Sequence, residues 1–134
     1  MEAPNPARLY ASVVGALLTI LGIVGFFYTG SFGSPGEVDR ALGLFDVNGW
    51  GNVLHLVTGL VGLVAAGYAA RAYALGAGVL YSVVAIWGFA IGGGESIFTI
   101  IPVNTPENVL HLLLGLAGLG AAAASRVPKP SARI

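Results

Sequence analysis

Two short segments hold most of the side chains in this chain that could do chemistry: VNGWGNVLHLVTGLVGL from Val47 and VNTPENVLHLLLGLAGL from Val103. Each places an asparagine three residues before a histidine, Asn52 with His55 and Asn108 with His111. Residues at i and i+3 are neighbours on a helix surface, so each Asn/His pair forms one polar patch. Two such patches can satisfy one another and the nearby backbone as a structural polar cluster. They can also grip a ligand, as haem held by both imidazoles, or as zinc on His55 and His111 with Asp46 or Glu107 as a further donor. Two iron–nitrogen bonds plus two imidazoles hold the opposing backbones roughly 12 Å apart, beyond the usual 8–10 Å between packed helices. That spacing argues against haem if the second and fourth helices are drawn together. The chain has no cysteine, which excludes thiolate metal sites and cysteine nucleophiles. It has no nucleophile elbow and no carboxylate within its apolar stretches, so no residue is assigned a catalytic role and no cofactor is expected.

The elements that must carry these pairs are membrane helices. Of 134 residues, 56% are hydrophobic and 9% charged, with 21 glycines and a mean hydropathy of +0.85, far from the soluble average of about a quarter charged. Six basic and six acidic residues cancel, which removes the case for a nucleic-acid partner. Four uncharged stretches, 9–28, 53–70, 72–92 and 109–125, approach the roughly 20 apolar residues that a bilayer requires. The apolar run after Arg8 is longer than a signal core and no small-x-small cleavage site follows it, so it is read as a retained span. Arg71 marks a tight turn between the second and third spans. Arg8, Arg71, Arg126, Lys129 and Arg133 fall on one side, against Arg40 alone on the other. Short basic loops stay cytoplasmic, so both ends are expected inside a bacterial cytoplasmic membrane. Glu37, Asp39, Asp46, Glu95 and Glu107 then lie outside, with Glu2 within. Phe26, Phe27, Tyr28, Trp50 and Trp87 are placed at the outer interface, and Tyr10, Tyr68 and Tyr73 at the inner one.

The chain repeats itself. Residues 8–27 laid on 71–90 give eight identities in twenty, at an offset of 63. Residues 47–63 laid on 103–119 give eleven in seventeen, at an offset of 56, so the seven extra residues of the first unit lie in its outer loop, around TGSFGSPGE. Each unit is helix, outer loop, helix. A unit of two spans ends on the side where it began, so the copies share one orientation and are expected to be related by a pseudo-two-fold axis along the membrane normal. The apolar leads LGLFDVN and FTIIPVN are expected to lid the outer end of the bundle. At about 100° per residue, Asn52, His55, Gly59, Gly62 and Ala66 share one stripe, as do Asn108, His111, Gly115, Gly118 and Ala122. The first and third spans carry their own small stripes: Ser12, Gly15, Thr19 and Gly22, and Leu75, Gly78, Ser82 and Ala85. Small residues at this spacing bring helix backbones close where lipid offers no hydrophobic drive. The second and fourth spans are expected to pack centrally along these glycines, with Thr105 capping the fourth span and Pro106 at its first position.

The paired VN-x-x-x-NVLHL-x-x-GL-x-GL motifs, with the R-x-YA-x-x-x-G-x-L helices before them, resemble a bacterial family of four-helix membrane proteins. It is catalogued as a domain of unknown function, number four-three-eight-three. The likeness covers residues 8–124 and implies a fold and a location, but no activity.

The sequence thus predicts an all-α, integral membrane four-helix bundle of two tandem helix hairpins. A cytoplasmic segment 1–8 precedes a transmembrane domain 9–125 (repeats 8–70 and 71–125), and a basic tail 126–134 follows. The expected role is structural or accessory and non-enzymatic, with Asn52, His55, Asn108 and His111 as a polar cluster near the outer face. The lipid bilayer is the expected partner, with a membrane-protein partner or a homo-oligomer beside it. The alternatives are a haem- or metal-binding protein using His55 and His111, and a small-solute transporter. Against transport, no Asp, Glu, Lys or Arg lies inside a span, and such groups usually mark ion pathways.

Overall fold

The computed structural model describes residues 5–32, 39–92, 95–98 and 100–125. Four helices make the fold: α1 (Pro6–Tyr28), α2 (Gly49–Ala65), α3 (Ala70–Ile91) and α4 (Thr105–Ala124). Two small antiparallel hairpins, β1 (Asp39–Ala41) with β2 (Phe45–Val47) and β3 (Ser96–Ile97) with β4 (Ile101–Pro102), lead into α2 and α4. α1, α3 and α4 are each long and apolar enough to cross a membrane. α2 has 17 residues, about 25 Å at the helical rise, slightly short of the ~30 Å hydrocarbon layer. The basic tail 126–134, most of the Gly/Ser/Pro part of the first loop, Glu2 and Glu37 lie outside the described residues.

The helix ends follow from their caps. Asn5 accepts from the amides of Ala7 and Arg8 and starts α1 three residues before the expected position. Asn48 accepts from Gly51 N–H and Asn104 from Glu107 N–H, so the first asparagine of each repeated motif caps the helix that follows. This corrects the assignment to Thr105, which is instead the first residue of α4, with Pro106 second. A first-turn proline costs nothing there, because its missing N–H has no partner in a helix. α2 stops at Ala65, and the turn to α3 falls at residues 66–69, so Arg71 sits in the first turn of α3 and not in the bend.

The apolar leads are hairpins where irregular chain was expected. Leu42 (φ 56°) and Gly43 (φ 67°) occupy the centre of a tight turn closed by Leu44 N–H on Ala41 C=O. Positive φ at both central positions matches the right-handed twist of the flanking strands. In the second hairpin Phe98 has φ 51° and Ile100 N–H donates to Ile97 C=O. Val47, Ile97 and Val103 are buried beneath.

The glycine stripes close each helix pair on itself. A Cβ on Gly15 would lie 2.8 Å from Leu63 N, and one on Gly22 would lie 2.7 Å from Leu56 N, so α1 and α2 run antiparallel with their backbones in contact. Gly59 faces Thr19 on the same seam. In the other pair, Gly78 meets Leu119 N and Gly115 meets Ser82. This overturns the expectation that α2 and α4 pack together along their glycines. α1 packs on α2 and α3 packs on α4, while α1 also touches α3 and α4, and α2 touches α3. The reason is complementarity. α1 and α3 carry small stripes of their own, and only a small face against a small face lets backbones approach this closely.

Bulkier residues fill the seam between the pairs: Tyr10, Leu18, Tyr73, Tyr81 and Leu114, all buried. Tyr10 donates to Leu114 C=O (2.7 Å) and Tyr73 to Thr58 C=O (2.9 Å), each from one pair to the other. Gly62 lies under the Tyr73 ring, and Gly118 under the Tyr10 hydroxyl. Tyr10 and Tyr73 are therefore interior residues and not members of an interfacial belt, unlike Tyr68, which is 82% exposed. The outward surface is apolar, including Ile20, Leu60, Val79, Ile86 and Leu113.

Candidate functional site

The cap asparagines begin α2 and α4 beneath the hairpins, and one turn further in stand Asn52, His55, Asn108 and His111. All four are buried, with relative exposures of 1%, 9%, 2% and 2%. The two histidine rings lie edge to face with their centroids 5.8 Å apart. Tyr81 of α3 lies against the His111 ring at 5.3 Å, and its hydroxyl shares a 2.7 Å hydrogen bond with Thr58 of α2. The structure thus brings together the two imidazoles that the sequence singled out, though the helices carrying them belong to different pairs and are not themselves in close backbone contact.

The asparagines serve other partners than the histidines. Asn52 donates through Nδ2 to the carbonyl of Thr29 (3.1 Å), the residue that ends α1. Its Oδ1 sits directly over Gly25, and Asn108 Oδ1 sits over Gly88 in the same manner. A methyl group at either glycine would occupy the place of the amide. Of the expectation that the four residues satisfy one another and the nearby backbone, Asn52 meets the second part at Thr29; among the described residues Asn108 Oδ1, Ser82 Oγ and both ring nitrogens of His111 have no hydrogen-bond partner.

The residues missed as site members are Asn48 and Asn104. Asn48 donates through Nδ2 to Ile100 C=O of the second hairpin, while Asn104 donates to Leu44 C=O of the first. The two bonds cross, and each ties one half's helix start to the other half's lid. Their signal was in the sequence, since VN opens both motifs. A position at the helix start, shallower than that of Asn52 and Asn108, is what made them look like ordinary loop residues.

The ligand alternatives fit poorly. Glu107 is 4% exposed, and its Oε2 has no hydrogen-bond partner among the described residues. Among the described residues no three His, Asp or Glu side chains gather where a metal ion could sit. Haem is no longer opposed by helix spacing, because the glycines do not draw α2 towards α4. What opposes it is the filled space around His111, flanked by Tyr81 and His55 with no slot for a flat macrocycle between them. One surface cavity lies against Thr58, Tyr73 and Gly76, and another at the far end of the bundle.

The family described as "Domain of unknown function (DUF4383)" matches residues 8–124 of this chain. The chain belongs to the DUF4383 family. That match takes in α1 from its third residue, both hairpins and the whole of α4, so the paired Asn/His site lies entirely within the DUF4383 domain. Comparison with curated proteins and with solved structures gave no match.

Proposed function

We propose that this DUF4383 protein is a non-enzymatic, structural or accessory component of the bacterial cytoplasmic membrane. It consists of two tandem helix hairpins related by a pseudo-two-fold axis along the membrane normal, with both ends cytoplasmic. The observation that carries the reading is the reciprocity of the contacts between halves. Asn48 reaches Ile100 and Asn104 reaches Leu44; Tyr10 reaches Leu114 and Tyr73 reaches Thr58. Each member of a pair maps onto the other at the offsets of 56 and 63 read from the sequence. Gly25 under Asn52 and Gly88 under Asn108 obey the same mapping. The partners of such a scaffold are the bilayer and, through its apolar flanks, another membrane protein or a second copy.

Reporter fusions test the placement. An alkaline phosphatase moiety at either end stays inactive and a fluorescent protein at either end matures, while alkaline phosphatase inserted between residues 36 and 37 is active. Opposite behaviour of the two ends refutes the doubled-hairpin reading.

One observation favours a second reading, in which the histidine pair holds a small ligand. A neutral imidazole always carries one N–H, and burying it with neither nitrogen bonded costs about 1–3 kcal/mol. A small polar guest or ordered water beside the His111 ring supplies the missing partner.

A further inference from the structure

The R-x-Y-A motif is only partly used by the fold. Its tyrosines join the two halves and its alanines, Ala11 and Ala74, are buried, but Arg8 makes no side-chain hydrogen bond among the described residues and Arg71 uses only its Nε. Arg8 and Arg71 both line one cavity of about 490 Å³ at the end of the bundle opposite the β-hairpins. This is within the range of small-molecule sites, about 300–1,000 Å³.

We propose that this cavity binds a phosphate-type oxyanion, with Arg8 and Arg71 as its ligands. Three features converge on an anion. First, the acidic side chains that the structure describes, Asp46, Glu95 and Glu107, belong to the hairpin end, so among the described residues no carboxylate neutralises the two guanidinium groups. Second, Arg71 is already oriented, because its Nε donates to Ala122 C=O at the end of α4 (3.0 Å), which leaves its terminal amino groups for a ligand. Third, the first turn of α3 has no side-chain cap, and Ala69, Ala70 and Ala72 line the cavity, so its amides add to the positive field there. The start of α1 differs, since Asn5 and Ser125 together occupy its first amides. Small residues floor the site and leave room for the guanidinium forks to meet phosphate oxygens in pairs, a geometry that lysine cannot copy.

The anion can come from a lipid headgroup of the adjoining leaflet or from soluble phosphate. The full chain, purified in neutral detergent, is titrated with phosphatidylglycerol and separately with inorganic phosphate, and bound species are counted by native mass spectrometry. One anion per chain is expected, with affinity about tenfold lower in Arg8→Gln and lower still in Arg8→Gln/Arg71→Gln. Arg40→Gln, at the other end, should bind as the parent does. Binding of the lipid that phosphate cannot displace identifies a headgroup site; displacement by phosphate identifies a soluble ligand. Arg8 makes no side-chain hydrogen bond among the described residues, so its variant leaves the fold intact, as a melting curve verifies. Failure of both probes to bind stoichiometrically overturns the proposal, and so does parental affinity in Arg8→Gln.

Discussion

Two glycines, two residues apart on α3, separate close packing from mere helix composition. Gly78 faces α4, where an added methyl would lie 2.7 Å from Leu119 N and 3.1 Å from Gly115 O. Gly76 points into open space, with nothing within 4 Å of the same methyl. Both substitutions to alanine gain the same helix propensity, up to about 1 kcal/mol, so the difference between the variants isolates the cost of crowding. An ordinary contact lies at about 3.5–4.0 Å, which leaves the new methyl of Gly78→Ala short by most of an ångström against backbone that no rotamer change can move. The helices must then part. Opening a packed seam by 0.5–1 Å forfeits a quarter to a half of each contact's ~0.1–0.2 kcal/mol. Over some tens of atom pairs this amounts to about 1–3 kcal/mol, the usual scale of overpacking. Gly78→Ala should therefore be less stable than Gly76→Ala by about 1–3 kcal/mol in reversible unfolding in mixed micelles. Equal midpoints for the two would mean that the glycine face does not set the α3–α4 approach.

Other expectations follow from the same contacts. Asn48→Ala and Asn104→Ala each remove a helix cap and a bond between halves, and each should cost about 1.5 kcal/mol by the same unfolding assay; a loss confined to one of them would contradict their reciprocity. Gly25→Ala and Gly88→Ala evict the amides of Asn52 and Asn108 and should each destabilise by about 1–3 kcal/mol, whereas Gly120→Ala, which meets nothing within 4 Å, should be neutral or better. The purified protein should show no Soret absorbance and no stoichiometric zinc; either signal, abolished by His55→Ala, would replace the structural reading with the ligand-binding one.

The four apolar helices, and the meeting of His55 with His111, were legible because each rests on a period. Polar groups spaced by three residues in an apolar helix must face inward, and a chain that repeats them must do so twice. The partner of a small face was not legible. Gly59 and Gly62 announce that some backbone comes close, but nothing local to them tells α1 from α4; that depends on the matching small stripe of α1, which was read without being paired. Tyr10 and Tyr73 misled for a related reason. Tyrosine near a helix end is common at a membrane interface, and only the facing Gly118 and Gly62 reveal that these two turn inward. The hairpins escaped notice because LGLFDVN is too short and too apolar to show alternation, its one turn signal being Gly43.

The division of labour between seams explains why the polar residues gather where they do. Lipid is as apolar as leucine, so membrane helices associate through close packing and hydrogen bonds rather than hydrophobic drive. Within each helix pair, facing small residues supply the packing, and few side-chain hydrogen bonds are needed there. Between the pairs the seam is wide and filled with Tyr10, Leu18, Tyr73, Tyr81 and Leu114, a surface that many relative positions could accommodate. Directional bonds are then what select one position. Tyr10 and Tyr73 do this in the depth of the bundle, and Asn48 and Asn104 do it at the hairpin end. The histidines stand between these two levels without taking part in either set of bonds that fixes the docking. Their rings meet edge to face across the two pairs and add packing to that docking, while the ring nitrogens of His111, unbonded among the described residues, are the structural reason to test for a small polar guest there.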